Sequence, residues 1–310
     1  MTSPTGDQYD LTLQTGESTL TATVTQVAAG LRALAVDGQP LAETFPASSI
    51  PPSACGITLV PWPNRVADGR WELDGEVQQL DLTEPAKGNA SHGLLRWTAY
   101  RLVELHPHAV VQAATVHPQH GWPFQLDVTV RHELVEDGLV VTHTLTNVGQ
   151  GRAPWALGSH PFLRVGAHDV ADLTVTLDAA TRYVTDERSI PTGTEPVEGT
   201  AFDLRGGARV GDLDLDTAYR DVAADGEGVR RTTLRAPDGS GVELWQDASY
   251  EYVQVFTPRN FPRDGELGLA VAVEPMTAPA NALANGEGLR WLDEGETTTA
   301  TWGVRRLTAD

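Results

Sequence analysis

Two titratable residues stand out by type and setting. His160 closes the run Trp155-Ala156-Leu157-Gly158-Ser159-His160, and Pro161 follows it. In a strand, side chains alternate between faces. Ala156, Gly158 and His160 then share one face, and Trp155, Leu157 and Ser159 the other. Neighbours that small leave open space in front of an imidazole, which can exchange protons near neutral pH. Pro161 is expected to stop further strand pairing. The run Leu267-Gly268-Leu269-Ala270-Val271-Ala272-Val273-Glu274-Pro275 repeats the design. Its odd positions are Leu and Val. Its even positions are Gly268, Ala270, Ala272 and then Glu274, at the expected strand end before a second proline. If the two strands lie in one sheet with these faces together, an imidazole and a carboxylate look into one cavity as a general acid/base couple. Ala156, Gly158, Ala270 and Ala272 should then lie beneath the ligand. A lone strand-end His or Glu is more often a hydrogen-bonded structural residue; the repeated setting singles these two out.

Such a couple needs a rigid frame, and the rest of the chain reads as β. Asp-Gly pairs occur at 37–38, 68–69, 74–75, 137–138, 225–226, 238–239 and 264–265. Placed between alternating apolar runs, they signal hairpins. Strands are predicted at 18–27, 78–82, 109–116, 124–133, 139–146, 173–177, 232–235, 241–246, 252–256 and 298–307. In 139–146, Leu139, Val141, His143 and Leu145 fall on one side. Long 3.6-period apolar stripes are absent. The pattern predicts an all-β fold, a sandwich or barrel. Residues 186–200 read as a long exposed loop within it and not as a linker. The whole chain, 1–310, is read as one large domain, since all-β domains often exceed 200 residues.

Composition removes several function classes. A net charge of −20 disfavours nucleic acid and anionic membranes as partners. Lys87 is the only lysine, which argues against Schiff-base chemistry, and no phosphate-cradling loop ending in Lys is present. Cys55 is the only cysteine, so there is no intrachain disulfide and no multi-cysteine metal site. Before Ile57-Thr58-Leu59-Val60 it reads as a small buried hydrophobe. A reducing, cytoplasmic setting fits. No apolar run is long enough to span a bilayer, and the opening MTSPTGDQYDLTLQTG lacks the marks of a secretory signal. His106-Pro107-His108 and His117-Pro118-Gln119-His120 are interrupted by proline and read as surface-loop histidines. No metal is assigned and no cofactor is expected.

Other segments admit two readings each. Pro61-Trp62-Pro63-Asn64-Arg65 is a stiff loop whose Asn64 and Arg65 offer a fork of donors, suited to sugar hydroxyls or a carboxylate, or to holding neighbouring carbonyls. Gly88-Asn89-Ala90-Ser91-His92-Gly93 is turn-rich, and Gly93 lets a ligand approach the backbone beside His92. Leu213-Asp214-Leu215-Asp216 places two aspartates on alternate positions, either binding hydroxyls or lining a solvated strand face. Trp71, Trp97, Trp122 and Trp245 could stack on a sugar ring, but scattered tryptophans serve packing more often, and none is assigned.

In this order the segments resemble the aldose 1-epimerase (galactose mutarotase) family. The resemblance runs from about Pro61 to about Glu296. It is carried by PWPNRVADGRWELDG, QLDLTEPAKGNASHG, GWPF, DGLVVTHTLTN, APWALGSHPF, LDTAY, YVQVFTP, AVEPMTAPANALANGEGL and DEGET. Each motif is moderate evidence; their order is specific. The resemblance implies a large antiparallel β-sandwich. It implies His160 as general acid and Glu274 as general base. It also implies that His92 binds substrate and helps polarise the ring oxygen, that Arg65 contacts hydroxyls and positions the base, and that Asp216 binds hydroxyls. Asn64 joins the substrate-binding group. The implied activity is interconversion of the α and β anomers of a free aldose such as galactose or glucose, without a cofactor. Phe162 stands where many members have Tyr, and Gly93-Leu94-Leu95-Arg96-Trp97 departs from the pattern of the best-known galactose enzymes, which opens the question of sugar identity. A member acting on phosphorylated sugars would want basic residues at the pocket mouth, where Arg96 is a candidate. The competing readings are a non-catalytic sugar-binding protein and a glycoside-processing enzyme. The latter needs two carboxylates flanking the bond, with Asp216 as the only partner for Glu274. Oligomeric state is left open.

Overall fold

Short alternating segments joined by tight turns build this chain. At Asp37-Gly38, Asp68-Gly69, Asp74-Gly75 and Asp264-Gly265 both residues have positive φ, the signature of the hairpin turn that matches strand twist. The computed structural model describes residues 3–309. Two large antiparallel sheets dominate. The nine-stranded sheet runs in the spatial order Arg101–His106, Ala109–Val116, Leu126–Val135, Gly138–Asn147, Thr297–Leu307, Gly241–Gln246, Arg230–Arg235, Thr174–Leu177 and Ala208–Arg209. The other sheet runs Pro191–Pro196, Ala179–Thr185, Asp216–Val222, Tyr252–Phe256, Val271–Met276, Gly158–Ser159 and Thr58–Leu59, with Phe162–Leu163 also pairing to Val271–Met276. A four-stranded sheet from Gln8 to Pro40 adjoins them.

Alternation decides what faces inward. Val128, Val130, Leu139 and Leu145 of the first sheet and Val253, Val255, Val271 and Val273 of the second belong to one buried cluster. Burying each such side chain is worth roughly 1.5–3 kcal/mol. The intervening residues of the second sheet, Asp216, Gln254, Phe256 and Glu274, therefore point away from this core. Gln254 lies opposite Glu274, and Asp216 opposite Phe256.

Several expectations need correction. Residues 191–196 form an edge strand paired with Ala179–Thr185. It is largely exposed on both faces, so no burial pattern marks it. Pro275 does not end its strand: it pairs with Val253, and the strand continues to Met276. On its other side Gly158 pairs with Met276 and Phe162–Leu163 with Ala272 and Val271, so the ladder there is interrupted around the proline and little of it is lost. The run beginning at Leu267 is split as well, because Glu266–Gly268 belongs to a separate hairpin with Phe261–Arg263. His106 ends an exposed strand and not a loop.

The small residues serve packing rather than the ligand. Ala156 packs with Ala278 and Ala282. Ala270 and Ala272 pack among Phe45, Phe162 and Phe261. A Cβ on Gly158 would come within 2.9 Å of the Pro63 ring. The space is taken by aromatic rings and by the loop at 61–65, which lies close over the sheet. That loop is laced to the 91–94 segment: His92 N–H donates to the Asn64 carbonyl at 2.8 Å, and Leu94 N–H to that of Val60 at 2.8 Å. Gly93 makes this approach possible. Its φ is +73°, and a Cβ there would lie 2.0 Å from the Val60 oxygen.

Two predictions follow from this packing. Gly93→Ala should destabilise the protein by about 2 kcal/mol or more in urea unfolding, since strained φ and a backbone clash combine; a change under about 0.5 kcal/mol would show that the two loops can part. The second concerns His132 and His143, buried on neighbouring strands, with His143 Nδ1 2.8 Å from the Tyr250 hydroxyl. Burial pushes both imidazoles down to about 3, with the charge of His143 adding to the effect at His132. The unfolded chain, titrating near 6.5, takes up these protons first. Their contribution to stability is therefore full above about pH 6.5 and is lost as the pH falls toward 3. His132→Leu should flatten the decline of unfolding free energy between pH 6.5 and 4; an unchanged slope would exclude His132 as a source.

Candidate active site

A cleft of about 370 Å³ opens on the outward face of the second sheet. All six residues singled out in the sequence line it: Asn64, Arg65, His92, His160, Asp216 and Glu274. Glu274 and Asp216 rise from strands on either side of Tyr252–Phe256, where Gln254 lies opposite Glu274 and hydrogen-bonds Asp216. His160 follows the short strand Gly158–Ser159 and is pinned by backbone bonds, its N–H to the Ile57 carbonyl at 3.1 Å and its carbonyl to Gly56 N–H at 2.8 Å. Phe162 stacks on the imidazole, with ring centroids 5.3 Å apart and planes 21° from parallel. Ala272, directly opposite Phe162 in the ladder, makes room for that ring.

His160 Nε2 stands 3.4 Å from Glu274 Oε1, and both side chains are almost wholly buried. Burial first, then the charge of Asp216, raises the Glu274 carboxyl well above its usual range, with Arg65 opposing. Burial, aided by the charges of Arg96 and Arg65, lowers His160 to about 3. Burial thus pulls this pair toward a neutral imidazole beside a protonated carboxylic acid and away from an ion pair. His92 approaches His160 edge-on at 5.5 Å between ring centroids. Burial, then the charge of His160, then those of Arg96 and Arg65, hold it well below the usual imidazole range. His92 Nδ1, His160 Nδ1 and Glu274 Oε2 are buried without a protein partner.

The polar wall is tightly bonded. Asn64 Nδ2 donates to Gln254 Oε1 at 3.3 Å, and Gln254 Nε2 donates to Asp216 Oδ1 at 2.6 Å. Arg65 forks onto Glu84, with Nε to Oε2 at 2.9 Å and Nη2 to Oε1 at 3.2 Å, and its Nη1 lies 3.6 Å from Asp216 Oδ2. Burial works against the Arg65 charge, but the Glu84 bonds and the charges of Asp216, Glu84 and Glu274 outweigh it and raise its pKa. Asn64 and His92 hold positive φ, 54° and 63°. Non-glycine residues in that region cost about 1 kcal/mol or more and gather at functional sites.

Four residues around this cleft carry no assignment from the sequence. Glu84 sits in the loop before Lys87, where nothing in composition ties it to Arg65. Gln254 had a usable signal, being the one polar residue within the apolar strand Tyr252–Phe256. Trp97, left unassigned, lines the cleft and is half exposed, and Phe256 lines it beside Glu274. Trp62 is buried as the anchor of its loop, and Cys55 is buried, its thiol pushed up by burial. Among the described residues, no three His, Cys, Asp or Glu side chains gather as a metal cage, and no helix is long and apolar enough to cross a membrane.

The sequence model of the aldose 1-epimerase family matches residues 9–305. The uncharacterized protein YihR of Escherichia coli K12 is 31% identical over 277 residues, covering 89% of this chain and 86% of that protein. Rat galactose mutarotase is 36% identical over 155 residues, 46% of this chain and 42% of the rat enzyme. Among solved structures, the aldose epimerase homologue of C. elegans superposes with a TM-score of 0.84 at 18% identity, covering 98% of this chain and 100% of that one. A putative aldose 1-epimerase of E. coli K12 gives 0.81 at 18%, covering 97% and 99%. With the sequence match spanning nearly its whole length, and the same fold in these neighbours, the chain belongs to the aldose 1-epimerase family.

Proposed function

We propose that this protein, acting as a single domain, is a mutarotase that interconverts the α and β anomers of an aldohexose of the galactose or glucose type by opening and closing the ring. The observation that carries the reading is the contact of His160 and Glu274 at 3.4 Å in one cleft. An acid and a base side by side are what ring opening requires, and binding alone would not require them.

Glu274, as carboxylate, takes the proton of the anomeric hydroxyl. The freed electron pair forms the C1=O1 double bond, and the C1–O5 bond breaks. Its electron pair takes a proton from the His160 imidazolium. Rotation about C1–C2 presents the other face of the aldehyde, and the reverse transfers close the ring as the other anomer. The working pair, carboxylate with imidazolium, holds one proton in total, as does the neutral pair. Bound hydroxyls favour the carboxylate by hydrogen bonding. Ring opening returns the pair to the neutral form that burial favours, so the chemical step relieves the unfavourable burial of charge. His92 lies against His160 where it can contact the ring oxygen, and Asp216, Asn64 and Arg65 offer groups for the hydroxyls. A positioned acid or base contributes roughly 10²–10⁴-fold; orientation and charge stabilisation supply the rest.

The test is polarimetry or proton NMR on freshly dissolved pure anomers of several aldoses. Wild type should speed equilibration, and His160→Ala or Glu274→Gln should lose roughly 10²–10⁴-fold. Full activity in either variant would remove that residue from its role. Sugar binding without acceleration of any aldose would favour a binding protein instead. The pH profile has a definite form as well. Activity needs one proton on the pair, whose apparent pKa values belong to both groups together. With His160 displaced to about 3 and Glu274 raised, kcat/KM should have its acid limb well below 6.5. Its alkaline limb should lie above the ordinary carboxylate range. An inflection near 6.5 that disappears in His160→Ala would mean that His160 titrates as an exposed imidazole.

A further inference from the structure

Arg65 and Arg96 both line the cleft, and only one is neutralised. Arg65 is spent on Glu84 and Asp216. Among the described residues, Arg96 has no carboxylate within salt-bridge distance. Its only protein acceptor is the Ser91 carbonyl, 3.3 Å from Nη1, and its Nε is buried with none. Its guanidinium lies 5.2 Å from the centre of the Trp97 ring. The acid nearest to hand, Glu84, already accepts from Arg65 and Asn89. In a chain of net charge −20, where carboxylates are abundant, a partly buried guanidinium left without one is a vacancy for an anion. Its planar fork suits phosphate, sulfate or carboxylate. The overall negative charge does not prevent this, because charges farther than about 8 Å are screened at physiological salt.

The position of Arg96 says where on the sugar the anion must be. In the ring-opening geometry Glu274 meets the C1 hydroxyl and His160 the ring oxygen, whose other neighbour is C5, bearing C6. Arg96 bonds the Ser91 carbonyl next to His92, whose ring meets that of His160, whereas Gln254, bonded to Asp216, lies opposite Glu274. We propose that the preferred substrate is an aldose carrying an anionic group on C6, and that Arg96 receives that group. The proposal rests on the mutarotase reading and narrows its substrate class.

The test compares kcat/KM for anomer exchange of glucose 6-phosphate, glucose 6-sulfate and glucuronate with that of glucose. At least one anionic sugar should exceed glucose tenfold or more; which one leads identifies the anion. Arg96→Gln should cut that ratio at least tenfold, and Arg96→Lys, which keeps the charge, should retain most of it. Thermal unfolding of both variants establishes that they are folded. Acceleration of glucose with no preference for any anionic sugar, or a preference that Arg96→Gln leaves intact, overturns this proposal and spares the mutarotase reading. Acceleration of no sugar, charged or neutral, overturns both.

Discussion

Dehydration of an acid and a base at one spot is the constraint on which the cleft depends. Glu274 and His160 are each almost wholly buried, and an isolated charge so placed would be very costly. Burial pulls each toward its neutral form, the carboxyl's pKa rising and the imidazole's falling. The same dehydration makes a proton passed between them consequential, because every change of charge occurs where water cannot soften it. The sheet achieves this by bringing three short segments together. Gly158 pairs with both Leu59 and Met276, which sets the chain leading to His160 beside the strand that bears Glu274.

Around that pair, charge is held in place by bonding rather than by number. Glu84 grips Arg65 bidentately and also accepts from Asn89. Asn89 in turn donates to the Arg188 carbonyl, while the Arg188 guanidinium donates to the carbonyls of Lys87 and Gly88. The loop bearing Glu84 is thereby tied to the loop at 186–190. Exposed ion pairs contribute little to stability, but this partly buried lattice fixes the direction of one guanidinium. Arg65 is consequently near enough to temper Glu274 and too fully engaged to approach it as a free cation.

The small residues flanking His160 and Glu274 in sequence have an indirect part in this geometry. Ala272 accommodates Phe162, whose ring backs His160. Gly158 accommodates Pro63, whose loop delivers Asn64 and Arg65. In close-packed matter, space left by a missing side chain is taken by the nearest protein atoms before any ligand can use it.

The sequence alone determined the β class, because alternation and Asp-Gly turns are local properties of the chain. It also determined which side of Val271–Met276 faces inward, since a period of two assigns faces residue by residue. The six site residues were legible through their motifs, and His160 and Glu274 also through their strand setting. Three things were decided only by tertiary structure. The edge strand at 191–196 gains its identity from a partner, not from burial. Glu84 and Arg188 matter through contacts with chain far away in sequence. The pull of His160 and Glu274 toward their neutral forms follows from how much water the fold excludes. Each depends on distances between segments remote in sequence, and such distances exist only once the sheets have closed.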